Sequence, residues 1–391
     1  MILTRIAWQL AARTRRALAV VVMSVVMAVA AAACAPRSGG ADRRGGSLDP
    51  PALSAPPALT FLSEFTRPFG TVYPQLSDST KFGSMSGLVL DAVSGQWLAV
   101  IDDRANTRVA WLSITAADGR LAVTPNRMQL LTAGPGVDDR LVTQADLEAI
   151  VALPDGTFLM SEEGHIAKDV VWPPAMLHVT RDGVVTDVIS YPPEFHVSTD
   201  GKTGIRDNQG FEGLTRTPGG RLIAGLEQPT VDQPVTSTTR GGDSRLIEFT
   251  SVAGVWTAGR QWRYTLAPTP TVTGYPQACS DGENGLVELL ALSETTLLSM
   301  ERACWLDPGG TEPANTILIF EVTLSGDTAQ KRLVLDMWTL TPKLSPALAR
   351  LDNFEGLAFG PPVNRRRSLL VMSDDNFRPT QKNAFLLFAM R

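Results

Sequence analysis

The stretch "DNFEGLAFGPPVNRRRSLLVMSDDNF" runs from Asp352 to Phe377. Acidic residues open and close it, and two short apolar runs lie between them. The runs are too short for helices, and Gly360-Pro361-Pro362 breaks them apart, so the stretch reads as a buried β-hairpin. A hairpin returns the end of its second strand to the start of its first. The carboxylates at its two ends are therefore brought to one place. A single case would be a surface accident, so recurrence decides the reading.

The pattern recurs four more times. It appears in "SMSGLVLDAVSGQWLAVIDDR" (84–104), "DLEAIVALPDGTFLMSEEG" (146–164), "GFEGLTRTPGGRLIAGLEQ" (210–228) and "GLVELLALSETTLLSMERA" (285–303). Each has a small or acidic residue, an apolar strand, a turn, a second apolar strand and a carboxylate. "PDG" at 154–156 and "PGG" at 218–220 are hairpin turns by composition. The opening anchors are Ser86, Glu148, Glu212, Glu288 and Glu355, spaced by 62 to 76 residues. The closing anchors are Asp102, Glu162, Glu227, Glu301 and Asp374.

Further strand-like runs fill the gaps: "RVAWLSIT" (108–115), "AMLHVTRDG" (175–183), "SRLIEFT" (244–250), "WRYTL" (262–266) and "TILIFEVTL" (316–324). Each repeat then holds about four strands, the content of a propeller blade. The expected fold is all-β, a β-propeller of six blades. Five repeats are visible, and the irregular stretches 59–80 and 305–345 are assigned to the sixth. Helical periodicity is weak, and "SPALARL" (345–351) is the best helical candidate. Trp97, Trp111, Trp172, Trp256, Trp262, Trp305 and Trp338 are expected to pack between blades.

The chain has 391 residues, 44% of them hydrophobic and 19% charged, enough to build a large core. Its start is different in character. Arg5, Arg13, Arg15 and Arg16 precede an apolar run from Ala17 to Ala33, and Cys34 follows. This is the pattern of an export signal over residues 1–33, with Cys34 as a lipidated first mature residue. Cleavage at an A-x-A site or an uncleaved anchor fits the same residues, and Arg15-Arg16 suggests a twin-arginine signal. Residues 34–58 are rich in Gly, Pro and Ser and read as a flexible tether, leaving 59–391 as the folded domain. The protein is thus expected outside the cytoplasmic membrane, lipid-anchored in the cell envelope or else secreted or periplasmic.

Loss of residues 1–33 removes four of the 35 basic residues and no acidic one, so the net charge of −5 becomes −9. An acidic body argues against nucleic acid as a partner. The expected partner is a small anionic ester, the only membrane contact is the lipid anchor, and the protein is expected to be a monomer. In an oxidising compartment Cys279 and Cys304 are expected to form a disulfide across the ends of a hairpin; two free thiols is the alternative.

The repeats carry a family resemblance. "DNQGFEGLTRTPGGRLIAGLEQP" (207–229) and "DNFEGLAFGPPVNRRRSLLVMSDDNF" (352–377) resemble the phytase-like (esterase-like activity of phytase) domain of bacterial exported proteins. "GSMSGL", "AVIDDR", "ELLAL" and "LLSMERA" support the likeness in order, from about Phe61 to Arg391. The resemblance implies a β-propeller and suggests phosphate-ester chemistry. Three departures stand out: Ala149 where glycine is usual, Leu226 ahead of Glu227 without a second acid, and Arg302 after Glu301.

Inner strands of a propeller line its axis, so the anchors are expected to form a carboxylate ring at one mouth of the central channel; such a ring needs a counter-charge, and Ca²⁺ suits it because it takes several oxygen ligands. Candidate metal ligands are Asp102, Asp103, Glu162, Glu163, Glu212, Glu227, Glu355, Asp374 and Asp375. Glu212, Glu227, Glu301 and Asp374 are the candidate catalytic carboxylates, Glu301 also being a candidate ligand. Arg206 and Arg302, then Arg104 and Lys168, are candidates for gripping phosphate; a salt bridge to a neighbouring carboxylate is the alternative for each. Capping of turns is the alternative for any single acid.

A serine-triad esterase is disfavoured because "GSMSG" (83–87) places Met85 where a G-x-S-x-G elbow needs Ser. His165 reads as a solvated loop residue or as an acid–base group. Zinc is disfavoured because no His/Cys pair has ligand spacing. The leading expectation is Ca²⁺-dependent hydrolysis of phosphate esters. A lactonase or carboxylesterase using one metal is one alternative, and a non-catalytic binding lipoprotein the other.

Overall fold

The computed structural model describes residues 57–391 apart from 118, 168, 169, 199 and 281. The expected signal segment, Cys34 and nearly all of the tether lie outside the described residues, as does Lys168.

Strands dominate, and their antiparallel pairings group most of them into five four-stranded units, with a short parallel contact, Arg263–Thr328 and Tyr264–Ala329, joining the third and fourth. Unit I holds Met85–Asp91, Gln96–Ile101, Arg108–Ala117 and Arg120–Leu130. Unit II holds Leu147–Ala152, Phe158–Glu162, Ala175–Val179 and Val184–Ser190. Unit III holds Phe211–Arg216, Leu222–Leu226, Asp243–Val252 and Val255–Thr265. Unit IV holds Gly285–Ala291, Thr296–Leu306, Pro313–Ser325 and Thr328–Asp336. Unit V takes Asn353–Phe359, Ser368–Asp374 and Lys382–Met390 from the end of the chain, and Leu59–Pro68 from its start.

Packing follows from the pattern of burial. The second strands of units II, III and V are buried along their whole length. A strand reads apolar throughout when both its faces are covered, here by the neighbouring units. The outermost strand Val255–Thr265 is mostly exposed. Five apolar clusters fill the gaps, one between each adjacent pair of units, including V and I. The first strands touch in a closed ring, I to II to III to IV to V and back to I. This is a β-propeller with the first strands on its axis.

Two expectations need correction. No sixth unit forms among the described residues. Leu59–Pro68 is the outer strand of unit V, paired with Lys382–Met390 through Phe61–Phe388 and Phe65–Phe385, so it closes the ring instead of adding to it. Residues 305–336 complete unit IV, and Met337–Lys343 is a short 3₁₀ turn. "SPALARL" gives only a single 3₁₀ turn, Pro346–Leu348, with Pro346 at its first position.

Candidate functional site

The first strand of every unit carries a bulge at the same point. It falls between Met85 and Leu88, Leu147 and Ile150, Phe211 and Gly213, Leu286 and Glu288, and Phe354 and Gly356. The bulge aims one side chain at the axis. The residues at the bulges are Ser86, Glu148, Glu212, Val287 and Glu355; Glu148, Glu212 and Glu355 line the central cavity, while Val287 packs in the apolar cluster between units IV and V.

On the second strands, Ile101, Glu162, Leu226, Glu301 and Ser373 lie opposite the residue before each bulge. The following residues are Asp102, Glu163, Glu227, Arg302 and Asp374. A slip of one residue turns a strand side chain to the other face. The expected ring is therefore one residue out at three anchors. Val287 replaces Glu288, Glu163 replaces Glu162, and Arg302 replaces Glu301.

The corrected ring surrounds a cavity of about 660 Å³. Asp102, Glu148, Glu212, Glu227, Glu283, Glu355 and Asp374 line it, with Arg302 and Arg378 as the lining cations among the described residues. Asn208, Gln209, Asn315, Asn376, Thr380 and Gln381 contribute neutral polar groups.

Two carboxylate triads stand in this ring. Asp102, Asp146 and Glu148 form one, and Glu163, Glu212 and Glu227 the other; within each, the oxygens lie within 4.8 Å of one another. In the second triad, Oε2 of Glu163 and Oε2 of Glu212 are buried with no hydrogen-bond partner. Oε1 of Glu163 accepts from Gly210 N at 3.0 Å.

Burial, then repulsion from neighbouring acids, holds Asp102, Glu148, Glu163 and Glu212 well above the usual carboxylate range. Burial and Glu355 do the same to Asp374. Burial also opposes ionisation of Asp146, but hydrogen bonds with Asp102 and Arg104 outweigh it and hold Asp146 low. Buried carboxylates left without partners are costly, and a cation removes the cost by binding their oxygens. These buried acidic clusters could hold a metal ion.

Arg302 supplies the built-in counter-charge. Its guanidinium lies 2.7 Å from Glu355 and 3.8 Å from Glu227, and it donates to Asn353. Burial disfavours its charge, but Glu355, Glu212 and Glu227 together hold it protonated.

The remaining candidates sit elsewhere. Asp103 pairs with Arg108 at 2.5 Å. Asp375 accepts from Ser84 N at 2.8 Å and from Asn383 at 2.9 Å, as a loop anchor beside the ring. Glu301 is fully buried, paired with Lys331, and accepts from Tyr264 Oη at 2.7 Å and Ala267 N at 3.0 Å. Arg206 donates to the carbonyls of Pro229 and Gln233 at 3.1 and 2.7 Å. Arg104 is paired with Asp146 and donates to Asn208.

Glu162 faces His165, 3.6 Å away, and burial pushes its carboxyl up to about 7. His165 is not solvated: it is 1% exposed and stacks on Trp172. Glu288 occupies the position held by Gly87, Ala149, Gly213 and Gly356 in the other units. A Cβ on Gly87 would lie 2.6 Å from Glu148 O and 2.7 Å from Ala149 Cα, so inner strands almost touch there. Glu288 turns sideways instead and accepts from Leu214 N at 3.2 Å and Leu289 N at 2.8 Å. Cys279 and Cys304 are disulfide-bonded, and both line the cavity.

Sequence reading marks Glu148 as an anchor but not as a ligand, and it passes over Asp146 and Arg378. Asp146 had a visible signal, an acid two residues before an anchor. Arg378 had none, because only the folded loop carries it to the cavity.

No curated protein is matched by the chain. Among solved structures it is similar to the endo-arabinase of Bacteroides thetaiotaomicron, at 9% identity over 83% of this chain and 96% of that one, with a TM-score of 0.44. It is also similar to an α-L-arabinanase of Penicillium chrysogenum complexed with arabinobiose, at 12% identity over 81% and 79%, with a TM-score of 0.39. A glucose dehydrogenase is similar at 12% identity over 85% and 99%, with a TM-score of 0.36. Likeness this distant carries no argument about chemistry. The family model described as "Phytase-like: Esterase-like activity of phytase" matches residues 80–377, most of the folded domain, and the chain belongs to that family.

Proposed function

We propose that the protein is an exported, lipid-anchored hydrolase of phosphate esters that works with Ca²⁺ held in the acidic cavity. The observation that carries this reading is the pair of carboxylate triads, each with two members lining the one cavity, and two buried oxygens of the second triad left without partners. Glu163, Glu212 and Glu227 would hold one ion and Asp102, Asp146 and Glu148 another, an all-oxygen donor set that suits a hard cation. When bound, Ca²⁺ supplies positive charge for an anionic ester and acidifies coordinated water.

The chain's own residues do the rest. Arg302 holds Glu355 and Glu227 in place and keeps the far side of the ring electrically balanced. Asp374 lines the cavity, and burial and the neighbouring Glu355 hold its carboxyl well above the usual range, which favours it as the acid that serves a leaving oxygen. Water adds to phosphorus, the ester P–O bond breaks, and Asp374 protonates the departing alcohol. The proton that water gives up passes to Glu355, a lining carboxylate ion-paired with Arg302. Glu301 takes no part, because Lys331, Tyr264 and Ala267 occupy it.

Phosphate release from phytate and from an aryl phosphate tests the reading, in Ca²⁺ and in chelator. Glu212→Gln is expected to lower Ca²⁺-dependent release by about 100-fold or more, the scale of losing a charged group at a transition state. If there is no release while Ca²⁺ still raises the melting temperature, the ions are structural, and acyl esters or simple binding become the function.

A further inference from the structure

Three of the basic residues expected to grip phosphate are already occupied, and the fourth, Lys168, lies outside the described residues. Arg302 is committed to Glu355, Glu227 and Asn353, Arg104 to Asp146 and Asn208, and Arg206 to backbone carbonyls. A guanidinium spent on buried carboxylates has little left for a ligand. Arg378 differs. It lines the same cavity and is exposed, and among the described residues it has no ion pair and no side-chain hydrogen bond.

Its place is fixed by the ring. Asn376 and Phe377, both non-glycine, hold left-handed conformations, with φ of 46° and 49°. Such conformations persist only where the surroundings enforce them. Here Asp374 accepts from Asn376 N at 2.6 Å, and Asp375 accepts from Phe377 N at 3.2 Å. The Arg378 N–H donates to Asp375 O at 2.7 Å, and Gln381 N donates back to Arg378 O at 3.0 Å. The ring carboxylate Asp374 thus helps to hold the loop that carries the free cation. Asn376, Thr380 and Gln381 of this loop also face the cavity and offer hydrogen bonds beside it.

We propose that Arg378 is the specificity residue of this site, gripping the phosphate dianion of the substrate at the cavity rim while the acidic floor is reserved for cations. A guanidinium offers two parallel N–H donors to two phosphate oxygens, a fit that lysine cannot copy. This inference rests on the hydrolase reading for its substrate, but it is tested separately.

The test compares Arg378→Gln and Arg378→Lys with the unmodified protein in Ca²⁺. Inorganic phosphate is titrated by calorimetry, and kcat and KM are measured on an aryl phosphate. For Arg378→Gln, KM and the phosphate Kd are expected to rise about 10- to 100-fold, the range of a charged hydrogen bond. kcat is expected to stay within a few-fold, and Arg378→Lys to recover only part of the loss. The melting-temperature rise on adding Ca²⁺ should be equal in all three proteins, which shows that the ring is intact. Turnover with unchanged KM in Arg378→Gln overturns the inference and leaves the hydrolase. Phosphate binding that depends on Arg378 without turnover removes the hydrolase and leaves the anion site. No phosphate binding by the unmodified protein overturns the inference outright.

Discussion

At the residue scale, position within one turn of strand decides whether an acid is chemistry or framework. Glu301 and Arg302 are neighbours in sequence. Arg302 faces the cavity and balances the ring, while Glu301 faces the gap between units III and IV and pairs with Lys331. Lys331 also lies over the rings of Phe320 and Tyr264, at 4.1 and 4.8 Å from their centroids. Lys331→Ala would leave Glu301 buried and uncompensated. It should cost about 3–5 kcal/mol in urea unfolding, the scale for breaking a buried pair. Activity below the unfolding transition should change little, and an equal loss of activity at full folding would return Glu301 to the site. The sequence singled out Glu301 as an acid closing a hairpin and assigned it to the site. Its direction was not legible, because the bulge that shifts the register by one residue leaves no signature in apolar pattern.

At the element scale, the hairpins were legible and their closure was not. Gly156 and Gly220, with φ of 84° and 95°, sit at the turns that "PDG" and "PGG" announce. Leu59–Pro68 carries no label of its own, since a strand that completes a unit begun some 300 residues later looks like any other strand. Deleting residues 57–68 should leave Lys382–Met390 as a bare edge and strip Phe61 and Phe65 from Phe388 and Phe385. Unpaired edges recruit other chains. The truncated protein is expected to lose its sharp thermal transition by circular dichroism and to associate in size-exclusion chromatography. A monomeric, cooperatively folded product would show that the ring does not need this clasp.

At the scale of the whole molecule, the acidic ring makes stability depend on pH and on cations together. Its carboxyls are raised in the fold, so the native state holds more protons than the unfolded chain between the two pKa values. Stability therefore falls as pH rises through that window. Two buried acids outside the ring act in the same sense: Glu162 gives a window from 4.5 to about 7, and Asp352 one from 3.8 to about 6. Acids held low, such as Asp91 at about 2, act in the opposite sense at more acidic pH. In chelator the melting temperature is expected to drop between pH 5 and pH 7 by about 1–3 °C, the response to about 1–2 kcal/mol in a domain this large. Millimolar Ca²⁺ should make the drop shallower by taking the place of the ring's protons. A melting temperature that rises across this range in chelator would contradict the arrangement.

The sequence by itself determined the all-β class, the repeated acidic hairpin and the family, because each rests on local composition or on spacing repeated along the chain. Only the tertiary structure decided how many units close the ring, which acid of each pair faces the axis, and which cation remains free. Those depend on bulges, on contacts between the two ends of the chain, and on which guanidinium the buried carboxylates have already claimed. None of these is a property of any one stretch of residues.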